Sequence, residues 1–242
     1  MKNLFLFLFL LVVFTSKAQD NRVSGLNSRQ FTKYWKVESE SPDYKVTFQG
    51  DTAEIVSPKG LTLWRKEKMS GKVTIEYDAC VVVESDGDRL SDLNCFWMAS
   101  DPQYPDNLWK REKWRSGIFL NCYSLQLYYL GYGGNHNSTT RFRRYDGDES
   151  GITNPKARPA ILKEYTDAGH LLKPNHWYHI KITNENNRVS YYIDGECLVD
   201  FRDAEPLREG WFGFRTTLSR TRITNFSYEC SSQEATAVPL QW

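Results

Sequence analysis

The sequence predicts an all-β chain folded as one domain, a sandwich of antiparallel strands. Three observations carry this. From residue 30 onward, short apolar or alternating runs are separated by turn signals. An Asp194-Gly195 pair stands between two such runs, a strong hairpin signal because both turn positions take positive φ. Helical periodicity is nearly absent.

The elements follow in order. Lys72–Val83 begins with alternation, ends fully apolar, and stops at the turn Asp86-Gly87-Asp88. Asn94–Ala99 is the next strand, bounded by Asp101-Pro102. Ser116–Cys122 and Leu125–Gly131 read as two more. Residues 141–145 alternate as a strand, and Trp177–Thr183 does so clearly. Arg188–Ile193 and Cys197–Phe201 flank the Asp-Gly turn, and Trp211–Arg215 and Arg222–Tyr228 complete the set. Short helices are expected around Pro105–Arg115 and Pro159–Ala168. The polar stretch Gly147–Asn175 is too long for a structureless connection in a compact domain.

The amino terminus has another purpose. Met1-Lys2-Asn3 is positive, Leu4–Phe14 is an unbroken apolar run, and Thr15–Gln19 is polar. The run is short for a bilayer span, and the pattern is that of a cleaved signal peptide over residues 1–19. Residues 20–242 then form the single domain, secreted or periplasmic in a bacterium, with no membrane insertion after cleavage. Cleavage removes Lys2 and Lys17, leaving 29 basic against 30 acidic side chains, a net of −1. That balance argues against a nucleic-acid partner. Export permits disulfides, but Cys80, Cys95, Cys122, Cys197 and Cys230 are odd in number, lack C-x-x-C spacing, and several sit in apolar runs. Buried free thiols are the favoured reading.

Aromatic residues make up 14% of the chain, which excludes disorder and raises the question of whether all of them are core. Phe96, Trp177, Tyr191, Phe212 and Phe214 read as core. Trp64, Trp97, Trp109 and Trp114 are candidates for stacking on sugar rings, whose C–H faces are apolar.

The ending Asn175-His176-Trp177-Tyr178 through Gly210-Trp211-Phe212-Gly213-Phe214-Arg215 resembles the concanavalin A-like jelly-roll superfamily. The strand rhythm fits over about residues 30–230, the specific motif over about 175–228. The stretches Phe96–Pro102 and Tyr132–Tyr145 resemble secreted bacterial proteins near the YesU-like group, associated with plant polysaccharide breakdown. The leader ending in Ala18-Gln19 is similar to those of Bacteroidetes exports. The resemblance implies a jelly-roll sandwich of two antiparallel sheets and an oligosaccharide or polysaccharide as partner. It supplies no catalytic residues.

The residues themselves point to one stretch. Arg141, Arg143 and Tyr145 are two apart and share a strand face, with Phe142 and Arg144 on the other. Asn135, His136 and Tyr132 precede them, Tyr132 among Gly131, Gly133 and Gly134. This set suits β-elimination on a uronate glycan. Arginine forks bind the carboxylate, an amide supports the developing dianion, and Tyr or His moves the proton. Gln126, Tyr128, Trp97, Trp109 and Trp114 are the expected substrate-binding residues. The alternatives are a glycoside hydrolase, a 3-keto-glycoside-processing enzyme, and a non-catalytic lectin-like protein. A hydrolase needs paired carboxylates, and Glu76 with Asp78 is the best pair, equally readable as solvent-facing. His170, His176 and His179 are less attractive bases, and no ligand spacing indicates a catalytic metal. No motif requires a cofactor. Asp86-Gly-Asp88 and Asp146-Gly-Asp148 can contribute to a structural Ca²⁺ site, and they are also ordinary turns.

Overall fold

The computed structural model describes residues 23–231. The expected signal peptide lies outside them. Fourteen strands form, all paired antiparallel. They are β1 (Val23–Ser24), β2 (Trp35–Ser39), β3 (Lys45–Gln49), β4 (Thr52–Arg65), β5 (Met69–Ser70), β6 (Lys72–Val81) and β7 (Leu93–Ser100). The remainder are β8 (Gln126–Gly133), β9 (Thr139–Asp146), β10 (Lys163–Tyr165), β11 (Tyr178–Glu185), β12 (Arg188–Ile193), β13 (Glu196–Arg202) and β14 (Glu209–Ser231).

Two layers result because β4 and β14 each run through both. The first half of β14 pairs with β7 and the second half with β6. The first half of β4 pairs with β3 and the second half with β2. One layer therefore runs β10-β9-β8-β7-β14-β4-β2, and the other β13-β12-β11-β6-β14-β4-β3. The corner on β14 is a bulge between Thr217 and Ser219, where Leu218 has φ 50° and stands exposed. Bulges bend a strand, and this one lets a single strand serve both layers.

The interlayer core is aromatic. Trp97 lies 6.1 Å from Tyr191, Tyr77 lies 4.8 Å from Phe214, and Phe142 lies 5.5 Å from Phe201, each pair crossing between layers. A second cluster covers the other face of the β7–β8–β9 layer: Trp64, Phe96, Leu127, Tyr129, Tyr145 and Trp211, capped by Leu108, Cys122, Tyr123 and Leu125. One layer is thus buried on both faces.

The capping segment, residues 101–125, is held by buried charge. Arg115 is fully buried and donates from Nη2 to Glu38 Oε2 (2.9 Å) and to the Leu108 carbonyl (2.7 Å). Asp101, also fully buried, lies 3.8 Å from Arg115 Nη1. Arg215 of β14 donates to the Gly117 carbonyl (2.6 Å). Burial pushes the Glu38 carboxyl above its ordinary range, against the pull of Arg115. Gly117 is required: its φ is 69°, and a Cβ would lie 2.7 Å from Glu40 N.

Several expectations change. Ser116–Cys122 is no strand; Ser116 and Gly117 turn left-handed and Leu120–Ser124 forms a 3₁₀ helix, because this segment caps the sheet instead of extending it. Trp211–Arg215 and Arg222–Tyr228 are one strand. Short helical turns form at Leu108–Arg111 and Glu112–Arg115, but residues 159–168 hold β10 instead of a helix. Trp177 precedes β11 and is 42% exposed, so it is not core. The Asp194-Gly195 hairpin forms, with φ of 51° and 85°. The five cysteines are free thiols, Cys80, Cys95 and Cys122 buried and Cys197 exposed.

Arg115→Ala strands Glu38 as a buried charge and is expected to cost about 3–5 kcal/mol in chemical denaturation. Arg188→Ala breaks the solvent-facing pair with Asp200 and is expected to leave the denaturation midpoint nearly unchanged. Equal losses would show that the capping segment is not held by its buried pair.

Candidate functional site

A groove of about 460 Å³ lies beside the capping segment, on the face of the β7–β8–β9 layer that looks away from the interlayer core. Its floor follows from strand alternation. Tyr129 and Gly131 of β8, Arg141 and Arg143 of β9, Asn94 of β7 and Arg215 of β14 share that face. Phe119, Leu120 and Tyr123 form the apolar wall from the capping segment. Gly131 is the position where the side chain must be absent, because a Cβ there would collide with the Tyr129 hydroxyl.

The charge in the groove is mostly positive. Arg89, Arg141, Arg143, Arg158 and Arg215 line it with His136, against Glu40 and Asp92. Arg141 Nε donates to Glu164 (2.5 Å) on β10, and Arg143 donates to the Pro159 carbonyl, which orients both guanidiniums. Burial pushes the Tyr129 phenol well above its ordinary value; neighbouring Asp92 adds to this, and Arg215 and Arg143 oppose it. The phenol stays protonated and can donate.

Asn135 and His136 reach the groove on a strained turn. Asn135, His136 and Asn137 all have left-handed backbone, with φ of 52°, 57° and 59°. Left-handed conformation costs an L-residue roughly 1–2 kcal/mol. The turn is held from behind. Asn137 Nδ2 donates to the Leu172 carbonyl (2.9 Å), and Leu172 N donates back to Asn137 Oδ1 (2.8 Å). Thr140 Oγ1 donates to the His170 carbonyl (2.6 Å). Gly133, at φ 67°, cannot carry a side chain, because Leu172 occupies that space.

The structure brings together four of the expected residues: Asn135, His136, Arg141 and Arg143. It does not bring the others to the groove. Tyr132 points into the interlayer core and donates to the Leu171 carbonyl (3.2 Å). Tyr145 shares the arginines' face but is fully buried beneath Tyr123 and Tyr129. Tyr128 and Trp97 are interlayer core, Tyr128 donating to Asp203 (2.6 Å). Gln126 sits on the Tyr128 face at the far end of β8. Trp109 packs on Trp211 at 6.2 Å, and Trp114 lies under Arg111 at 4.2 Å; neither lines the groove. Trp64 is fully buried.

The remaining polar candidates have structural partners. Asp78 accepts from Asn225 (2.6 Å) and faces His179 Nδ1 (2.7 Å), and Glu76 faces Lys181 at 3.3 Å, so both are outer-surface ion partners. His170 faces Asp167 (2.8 Å), and His176 faces Asp194 (3.7 Å). The two Asp-Gly-Asp stretches do not fit a calcium site. Asp88 accepts from Glu84 N and Ser85 N, Asp146 pairs with Arg144, and Asp148 accepts from Ser150 N. Among the described residues no group of three or more His, Cys, Asp or Glu is placed to hold a metal ion.

Missed at the sequence level were Arg89, Asp92, Asn94, Tyr123, Arg158 and Arg215. Asn94 and Arg215 were within reach: each is a polar residue interrupting an apolar strand, at the register of the groove face.

The layers, the shared strands and the groove define a jelly-roll sandwich. The chain belongs to the DUF6250 family, a domain of unknown function, whose model matches residues 55–226. No curated protein matches it. Among solved structures it is similar to a protein of unknown function with a galectin-like fold from Bacillus subtilis. That match has 15% identity and a TM-score of 0.65, over 83% of this chain and 91% of that one. It is also similar to the carbohydrate binding module CBM66 from Bacillus subtilis, with 16% identity and a TM-score of 0.54, over 81% of this chain and 94% of that one. The carbohydrate recognition domain of Emp47p matches at 14% identity and a TM-score of 0.55, over 88% of this chain and 96% of that one.

His136→Gly removes a left-handed strain and is expected to leave stability unchanged or raise it by up to about 1 kcal/mol. Asn137→Ala removes the clamp on Leu172 and is expected to cost about 1–3 kcal/mol. Thermal denaturation of the two variants checks both. A large loss from His136→Gly would assign the imidazole a structural role.

Proposed function

We propose that the groove binds an acidic, uronate-containing glycan and that the protein cleaves it by β-elimination. The observation that carries this reading is the surplus of arginines over carboxylates beside an aromatic wall, with an imidazole presented on a strained turn. Arg141 and Arg143 are oriented by Glu164 and the Pro159 carbonyl, and they suit the planar carboxylate of a uronate. Phe119 and Tyr123 offer apolar surface to the C–H face of a sugar ring. CBM66 is described as a carbohydrate binding module and the Emp47p domain as a carbohydrate recognition domain, which supports a sugar ligand for this fold. The amino-terminal leader supports an exported protein.

His136 takes the proton from the carbon α to the carboxylate, and the electron pair is held as an enolate against Arg141 and Arg143. The pair then forms the carbon–carbon double bond as the glycosidic oxygen leaves. The leaving oxygen takes a proton from the Tyr129 phenol, which burial keeps protonated. Solvent exchange restores both groups. Asn135 donates a further hydrogen bond to the enolate.

The test is incubation with a panel of uronate glycans, following the ultraviolet absorbance of the unsaturated product. Arg143→Ala is expected to lower turnover at least about tenfold, the worth of a charge-assisted hydrogen bond, with the fold intact. His136→Gly is expected to abolish it. Reducing ends appearing without unsaturation would replace β-elimination by hydrolysis. Binding without product would leave a lectin-like protein, and full activity in both variants would move the site elsewhere.

A further inference from the structure

The groove is not uniformly cationic, and the unevenness follows from strand register. Arg215 of β14 faces Asn94 of β7, Asn94 faces Gly131 of β8, and Gly131 faces Arg141 of β9. These four form one row across the strands, spanning three strand spacings, about 14 Å. That length holds more than one sugar ring.

The two ends of the row differ. At the β9 end stand Arg141, Arg143, Arg158 and His136; Glu164, outside the lining, pairs with Arg141, which leaves two arginines in surplus. At the β14 end, two arginines are balanced by two carboxylates. Arg89 Nη1 donates to Asp92 Oδ2 (2.7 Å) and to the Thr217 carbonyl (2.9 Å). Glu40 Oε2 accepts from Gly60 N (3.3 Å), and Arg215 is spent on the Gly117 carbonyl and Thr62 Oγ1. A second sugar carboxylate placed here would meet Asp92 and Glu40, with no surplus cation to receive it.

Asn94 lies between the ends and holds Asp92 in place. It is 6% exposed, and its Nδ2 donates to Asp92 Oδ1 (3.3 Å). A carboxylate only accepts, so this bond fixes which way the amide points. Its Oδ1 is then a buried acceptor without a donor. That oxygen has no accessible surface, so the acceptors open to a ligand at this end are the carboxylates of Asp92 and Glu40. A sugar hydroxyl donates to them; an ionised carboxylate cannot. Asp92 itself holds left-handed backbone, φ 66°, a strained position on the groove apart from the Asn135–His136 turn.

We infer that the groove reads two different units in succession: an acidic sugar at the Arg141–Arg143 end and a neutral, hydroxyl-bearing sugar at the Asn94–Asp92 end. Asn94 is a positioning residue that holds Asp92, and Asp92 with Glu40 accepts from the neutral unit. The ligand class is therefore a mixed glycan in which acidic and neutral sugars alternate, in place of a homopolyuronate. This rests on the reading of the groove as an acidic-glycan site.

The test measures affinity by titration calorimetry for two sets of glycans. One set alternates: hyaluronate, chondroitin, and a galacturonate–rhamnose polymer. The other is uniform: polygalacturonate and alginate. The expected result is that at least one alternating glycan binds about tenfold or more tightly than every homopolyuronate. Asn94→Ala is expected to erase most of that preference, while Arg143→Ala weakens both sets. Homopolyuronates bound as tightly as every alternating glycan would overturn the inference and leave the acidic-glycan groove standing. An alternating preference that survives in Asn94→Ala would overturn the role of Asn94. Binding of neither set would overturn the groove reading and this inference with it. The wild-type ratio decides the ligand class even if Asn94→Ala does not fold.

Discussion

The buried pair of Arg115 with Glu38 is the interaction on which the rest depends. A jelly-roll layer has two faces, and only one is covered by its partner layer. Here the other face carries Trp64, Phe96, Leu127, Tyr129 and Tyr145, too much apolar surface to leave in water. The capping segment over residues 101–125 covers it, and that segment is built of short helical turns. Arg115 reaches Glu38 on β2, while Arg215 of β14 reaches Gly117, so the middle of the cap is tied to two strands. A buried charge is tolerated only with its partner in place, which makes the seating specific as well as strong. The groove is the part of this face that the cap leaves open.

Around that opening the chain holds several unfavourable conformations. Asn135, His136, Asn137 and Asp92 are all left-handed, and Asn94 keeps an acceptor unpaired. Elsewhere the left-handed positions serve tight turns and bulges, as at Asp194 in its hairpin and Leu218 in its corner. Here they bring polar side chains to one cavity. The clamp from Leu172 and His170 shows how the cost is offset: a loop distant in sequence supplies the hydrogen bonds that the turn cannot make for itself.

Most of the fold was legible in the sequence, and the reasons are local. Strands such as Arg188–Ile193 alternate cleanly because one face is core and the other solvent, and the Asp194-Gly195 turn needs no tertiary context. Ser116–Cys122 misled because an apolar segment that caps a sheet has the composition of a strand within it. The site was half legible. Arg141 and Arg143 could be placed by period-two reasoning, but Tyr145, on the same face, is buried by a cap whose position no local pattern encodes. Tyr132 and Tyr128 fell to the wrong face because the aromatic richness of β8 gave no clue to which side was core. Arg89, Asp92 and Arg158 reach the groove from loops, where sequence periodicity carries no information.

Strand β14 imposes an order on folding. Among the described residues it is the last strand, it spans 23 residues, and it pairs with β1, β4, β5, β6 and β7. Neither layer can close until it is in place. An amino-terminal stretch of this chain has exposed ladder edges on both β6 and β7 until β14 arrives. Pairings of such long sequence separation are slow to form, because loop-closure entropy is lost before the contacts are gained. The molecule therefore behaves as a single cooperative closure with no stable half, and its lifetime as an open, adhesive chain is set by one late event.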